Sequence, residues 1–276
     1  MSMENLINKY FRTAFLPNIW CPGCGNGVIT SAIVKAVDKC KLDQNNVALI
    51  SGIGCSSRAS GYLDFYTVHS AHGRALPVAT GVKLANPKLD VIVATGDGDC
   101  TAIGGNHFIH AARRNIDMTV ILFNNNIYGM TGGQYSPMTP PGVMASTAPF
   151  GTIENNFDLP ELAKAAGATY IARGTTFHAE MLSDLIKKGI EHKGFSLIEA
   201  ITGCHISYGR RNHMGTSVAM MTWQRDHAVP LTGYNRLSDE KKAEKFPIGV
   251  LYQKDGAKEY TDAYAELIAK AQGGKE

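Results

Sequence analysis

Nowhere in the 276 residues do about 18 apolar residues follow one another, the least that a membrane-crossing helix requires. A secretory leader is not expected either, because Glu4 and Asn8 already interrupt the first short apolar stretches, and the expected compartment is the cytoplasm. Charge of one sign is also missing. The 27 basic and 24 acidic residues leave a net +3, spread without a run of like charge, so there is no footprint for nucleic acid. A small polar or acidic ligand fits better. Cysteine is scarce as well, at six residues scattered from Cys21 to Cys204, which excludes the disulfide framework of a small secreted domain and leaves metal or redox use. No internal repeat and no low-complexity segment occurs.

What is present is apolar sequence, 44% of the chain, enough for a large core. Short continuous apolar runs alternate with segments of helical period, the pattern of strands buried on both faces of a parallel sheet. Strands are expected at 47–53, 90–95, 118–123, 169–172 and 196–201, with helices at 28–40, 77–84, 102–114, 159–166 and 178–192. The fold expected is a doubly wound parallel α/β sheet. Three strands run into polar or Gly-rich turns, Gly52-Ile53-Gly54-Cys55, Gly96-Asp97-Gly98-Asp99 and Asn124-Asn125-Asn126. In such sheets ligands sit beyond the carboxyl ends of the strands. The stretch 131–157, rich in Gly, Pro, Thr and Ser, is too long for an idle loop and is expected to cover the site. Residues 1–228 are taken as the main domain and 229–276 as a C-terminal extension, punctuated by Pro230 and Pro247 and ending in an amphipathic helix near 260–271.

Gly96-Asp97-Gly98-Asp99 combines a turn through which a phosphate can approach the backbone with a following helix start that favours anions. A hard divalent cation needs oxygen ligands, and Asp97 and Asn125 stand at neighbouring strand ends. Each element alone also reads as an ordinary turn with an Asp N-cap. Together, Gly-Asp-Gly after a strand, 25 residues (99 to 123) and then Asn124-Asn125 resemble the motif of thiamine-diphosphate enzymes. The resemblance implies a fold of the diphosphate-binding type and Mg²⁺ held by Asp97, Asn125 and the carbonyl of Ile127. Gly98 and Asp99 would flank the diphosphate. Thr131 would contact the diphosphate or metal-bound solvent, or simply cap a helix.

Cys21-Pro22-Gly23-Cys24 places two thiols within reach of one metal, a spacing that also suits zinc or a dithiol switch. It resembles the thioredoxin motif with Pro and Gly exchanged, but no strand precedes it. Cys55 and Cys204 each follow an expected strand, at the same edge as the cofactor turns. Four thiols suit structural zinc or an iron–sulfur cluster alike. Cys40 is read as core packing and Cys100 as structural.

Cys-Pro-Gly-Cys-Gly, then Gly-Ile-Gly-Cys-Ser, then the stretch from Ile127 to Gln134 with Ser136-Pro137, and finally Gly203-Cys204 occur in an order that resembles the β subunit of 2-oxoacid:ferredoxin oxidoreductases, over about residues 20–226. The resemblance implies one [4Fe-4S] cluster on Cys21, Cys24, Cys55 and Cys204. It also implies cofactor contacts from Ile53, Gly54, Cys55, Ser56, His72, Gly96, Tyr128, Gly129, Met130 and Thr131. Catalytic roles would fall to His72, as a donor to the diphosphate, and to Arg58, as a carboxylate clamp suited to 2-oxoglutarate. The histidine pairs His69/His72 and His107/His110 lack a further ligand and, His72 apart, are read as surface or core residues.

The implied reaction is coenzyme A-dependent oxidative decarboxylation of a 2-oxoacid with electrons leaving to ferredoxin, and it runs in either direction. In the thiamine family the ring-activating Glu belongs to a separate pyrimidine-binding domain, and no second such domain is found in the 276 residues. An α subunit would supply it, in a dimer of αβ pairs. The competing readings are a non-redox thiamine decarboxylase or carboligase subunit with structural zinc, and a zinc or dithiol-switch binding protein.

Overall fold

The structure is a computed structural model and describes residues 2–273. Eight strands form one sheet: β1 (Val47–Ser51), β2 (Tyr66–His69), β3 (Asp90–Gly96), β4 (Met118–Asn124), β5 (Tyr170–Thr175), β6 (Phe195–Ile201), β7 (Ala228–Pro230) and β8 (Phe246–Gln253). Their order is β2-β1-β3-β4-β6-β5-β8-β7. Strands β1 to β6 are parallel, and β8 runs antiparallel to β5. All five expected strands are found, with shifted ends. β1 and β4 are buried at every position, as central strands covered on both faces must be.

One apolar layer joins Ile29, Ile33 and Val37 of the helix Asn26–Lys39 and Leu182 and Ile186 of the helix Ala179–Glu191 to Leu49, Ile92, Ile121 and Ile198. The helices Ala75–Ala85, Gly105–Arg113 and Leu159–Ala166 cover the other face, against Ile50, Val93, Val120 and Leu197. The sheet is therefore doubly wound. Each such side chain contributes roughly 1.5–3 kcal/mol by leaving water, so the layers hold the strand ends rigidly. The helix Leu159–Ala166 is bounded as its sequence dictates: Asp158 caps Glu161 N at 3.4 Å, Pro160 stands in the first turn, and Gly167 leaves at φ 108°.

The helix expected at 102–114 begins differently. A π-helical turn, Asp99–Ile103, precedes it, because the Asp99 side chain is drawn back into the sheet edge while the chain squeezes past at Gly104, where a Cβ would lie 2.5 Å from the Asp99 carbonyl oxygen. The expected extension does not stand apart from the sheet. The boundary at 228/229 falls inside β7, β8 extends the sheet by pairing with β5, and Tyr260 of the helix Tyr260–Ala271 packs on the second apolar layer. β2 was also not expected. It lies at an edge with Tyr66, Val68 and His69 exposed, so no apolar run marks it.

Candidate active site

The chain leaves β1 toward β2 on one side and leaves β3 toward β4 on the other, so the ends of β1 and β3 flank the switch point of the sheet, where ligands of such folds bind. A cavity opens there. It is lined by the turns after β1, β3 and β4, and every residue expected at the diphosphate and cation, from Ile53 through Thr131 and including His72, lies on its wall.

Asp99 ties those turns together. Its Oδ1 accepts from Gly73 N at 2.7 Å and Ile53 N at 3.2 Å and lies 2.6 Å from His72 Nδ1, while Oδ2 accepts from Thr95 Oγ1 at 2.8 Å. That network explains Gly52, where a Cβ would fall 2.0 Å from Asp99 Oδ2. Because Nδ1 of His72 faces Asp99, its Nε2 is the nitrogen left for the cavity. The Tyr128 ring packs edge-on to His72 and its hydroxyl donates to Gly98 O at 2.9 Å. Burial, reinforced by the charges of Asp97 and Asp99, pushes the Tyr128 hydroxyl up to about 12, so it stays protonated and remains a donor.

Asp97 is 2% exposed and accepts from Ser136 Oγ at 2.5 Å. Burial pushes its carboxyl up to about 7, against the pull of Ser136 and the N–H groups of Gly98 and Asn125. A buried carboxylate with no cationic side chain on it among the described residues is one that a bound cation would keep ionised. Asn125 Oδ1 accepts from Ile127 N at 3.1 Å, which curls the turn so that Asp97, Asn125 and Ile127 share one cavity wall. These three residues fit Mg²⁺. Thr131 also lines the cavity, but its hydroxyl meets Gln134 Oε1 at 2.5 Å and no helix follows it. It is not a helix cap.

A second cleft adjoins the first and shares Asn26, Cys55, Asn125, Gly129 and Met130 with it. Cys21, Cys24, Cys55 and Cys204 all line this cleft. Burial pushes the Cys55 thiol up to about 11, and the proximity of Cys204, Cys24 and Cys21 adds to the shift. Gly129 passes between two of them: a Cβ there would lie in ordinary contact, 3.4 Å from Cys204 Sγ and 3.7 Å from Cys55 Sγ. Among the described residues no three His, Cys, Asp or Glu side chains are gathered closely enough to hold a single ion. Two buried nitrogens on residues of this cleft, Arg58 Nε and His205 Nδ1, have no hydrogen-bond partner among the described residues. The N–H of Arg58, a permanent donor, suits an anionic guest. Arg58 therefore stands with the thiols and not on the diphosphate cavity. His107 and His110 lie on the helix Gly105–Arg113, away from both spaces, and Cys100 is buried in the second apolar layer.

Residues 52–200 match the family described as thiamine pyrophosphate enzyme, C-terminal TPP binding domain. The 2-oxoglutarate synthase subunit KorB of Methanothermobacter thermautotrophicus is 53% identical over 226 residues, 82% of this chain and 79% of that one. The 2-oxoacid:ferredoxin oxidoreductase 2, subunit beta, of Aeropyrum pernix is 47% identical over 185 residues, 67% of this chain and 60% of that one. The chain belongs to the 2-oxoacid:ferredoxin oxidoreductase β subunits. A solved 2-oxoglutarate:ferredoxin oxidoreductase from Magnetococcus marinus, with 2-oxoglutarate, coenzyme A and succinyl-CoA bound, shares the fold at TM-score 0.86 and 35% identity, covering 98% of this chain and 91% of that one. Its place among β subunits implies an α partner, and residues 52–200, which carry the cavity's turns from Ile53 to Thr131, are the part that matches the thiamine pyrophosphate-binding domain.

Several residues of this β subunit's site escaped sequence reasoning. Ser136 entered only as part of a motif, and that it holds Asp97 was not visible there, while Asn26 lines both spaces from the start of a helix whose motif ended one residue earlier. Trp20 Nε1 donates to Cys55 O at 2.7 Å, Thr202 Oγ1 donates to Cys24 O at 2.6 Å, and Ser207 N donates to Cys204 Sγ at 3.4 Å. Trp20 and Thr202 adjoin recognisable motifs, and that adjacency was the available signal. Ser207 carried none.

Proposed function

We propose that this β subunit holds thiamine diphosphate through Mg²⁺ on Asp97, Asn125 and the Ile127 carbonyl, and one [4Fe-4S] cluster on Cys21, Cys24, Cys55 and Cys204. With its α subunit, in a dimer of αβ pairs, it would convert a 2-oxoacid and coenzyme A to the acyl-CoA and carbon dioxide, delivering electrons to ferredoxin. The observation that carries the proposal is the shared wall: Cys55 and Gly129 line both the cation cavity and the four-thiol cleft. Bound there, thiamine diphosphate supplies the carbanion chemistry of decarboxylation and the cluster supplies a one-electron acceptor.

The protein's own part is placement. Asp97 and Asn125 anchor the cation, His72 turns Nε2 toward the cavity while Nδ1 is held by Asp99, and Tyr128, its hydroxyl proton on Gly98 O, steadies the turn that carries Gly98. Arg58, with Nε buried and unpaired, is suited to clamp a second carboxylate. That chemistry favours 2-oxoglutarate, as do the names of the relatives in Methanothermobacter thermautotrophicus and Magnetococcus marinus. Six free cysteines without a disulfide fit a reducing cytoplasm, and no helix among the described residues is long and apolar enough to cross a membrane.

The test is anaerobic purification of the αβ complex. It should be brown, bleach with dithionite, and reduce ferredoxin when given 2-oxoglutarate and coenzyme A, whereas the chain alone should be inactive. A colourless complex carrying stoichiometric zinc would overturn the cluster assignment.

A further inference from the structure

Glu199 lies within β6 and is 2% exposed. A carboxylate so placed is tolerated only when its oxygens are occupied. Oε2 accepts from Arg173 Nε on β5 at 2.7 Å, and Oε1 accepts from Asn124 Nδ2 at the end of β4 at 2.8 Å. Asn124 immediately precedes the cation ligand. Its Oδ1 accepts from Asn126 N at 3.1 Å, closing the turn around Asn125, and its carbonyl accepts from Thr202 N at 2.8 Å. Thr202 in turn grips the Cys24 carbonyl, and Cys204 follows two residues later. Asn126 sits at φ 60°, a left-handed conformation that the surrounding bonds must maintain.

Hydrophobic residues of the same volume would stabilise the sheet at least as well as this buried ion pair. Its distinguishing property is direction. Arg173 orients the Glu199 carboxylate, which orients the Asn124 side chain, which shapes the turn presenting Asn125. Arg173 and Glu199 line neither the cation cavity nor the thiol cleft.

We infer that Arg173 and Glu199 are positioning residues that act through Asn124, aiming Asn125 at the cation and joining that turn to the Cys24–Cys204 side of the cleft. The inference rests on the thiamine diphosphate reading above. In the αβ complex, Asn124→Ala removes the donor to Glu199 and the acceptor for Asn126 but leaves the ion pair whole, so the sheet keeps its charge balance. Mn²⁺ serves as the probe, titrated with thiamine diphosphate and followed by loss of the free-ion paramagnetic resonance signal. The apparent Kd for Mn²⁺ should rise about tenfold or more, the usual cost of losing a group that orients a metal ligand, while iron per chain stays unchanged. Asn124→Asp keeps the volume and the acceptor but turns an oxygen toward Glu199, and it should be impaired at least as much. Unchanged Mn²⁺ affinity in Asn124→Ala, or an Asp variant milder than the Ala variant, would overturn the inference. Unsubstituted complex that takes up neither Mn²⁺ nor thiamine diphosphate would overturn the underlying reading, and the inference with it.

Discussion

The cation cavity and the thiol cleft share a wall but are built by different means. At the cavity the oxygen-bearing side chains are themselves tied, Asp97 to Ser136, Asp99 to four partners and Asn125 to Ile127, and Asn124 behind the wall is tied to Glu199 and Asn126. All but Asn125 of these four are almost fully buried. In the cleft the side chains are half-buried or exposed, and mostly the backbone is held, at the Cys55 and Cys24 carbonyls by Trp20 and Thr202. The sulfurs are largely left for a guest. A site whose ligands are aimed by such a network is weakened when the network is disturbed, whereas the cleft here offers its sulfurs with fewer side-chain ties.

That contrast breaks first at Cys55. Cys55→Ser in the αβ complex should abolish ferredoxin reduction and most of the visible absorbance, while the rise in Tm on adding thiamine diphosphate and Mg²⁺ persists. A variant that still reduces ferredoxin would show that the cleft is not the redox half of the site. Gly52→Ala attacks the other half. Its Cβ would intrude 2.0 Å from Asp99 Oδ2, so the carboxylate must release its partners and the turns after β1 and β3 lose their common anchor. Thiamine diphosphate affinity should fall on the order of 10- to 100-fold, with iron content retained. Loss of iron together with cofactor would mean that the two regions are not independently built.

The same contrast sets how much could be read from the sequence. Central strands declared themselves because burial on both faces demands continuous apolar runs, as in Val-Ala-Leu-Ile at β1. β8 did not, since it is half-exposed, contains Pro247 and Gly249, and lies between the antiparallel β5 and the three-residue β7. Asp97, Asn125 and the thiols were legible because metal chemistry restricts residue type and strand-end position together. Ser136 and Glu199 were not, since a hydroxyl 39 residues from its carboxylate and a charge within an otherwise apolar strand gain meaning only after folding. Cys40 shows the reverse. Read as core packing, it is instead half-buried at the end of the helix Asn26–Lys39, its sulfur 3.9 Å from the Lys187 carbonyl.

Cys40 supplies the smallest expected effect and a control on the thiols. Burial pushes it up to about 11 from 9.0, with the charge of Glu191 adding to the shift, so the folded state favours the neutral thiol. A group whose folded value is raised contributes stability that is complete below its unfolded value, near pH 9, and is lost as pH climbs through about 11. Cys40→Ala should leave colour and ferredoxin reduction intact. Its deficit in Tm against the unsubstituted protein should hold steady up to pH 9 and narrow between pH 9 and 11. A deficit that widens over that interval would mean that the thiolate, not the thiol, is the form the fold prefers. Loss of visible absorbance would make Cys40 a fifth participant in the cleft, and the separation of the four cleft thiols from the remaining ones would fail.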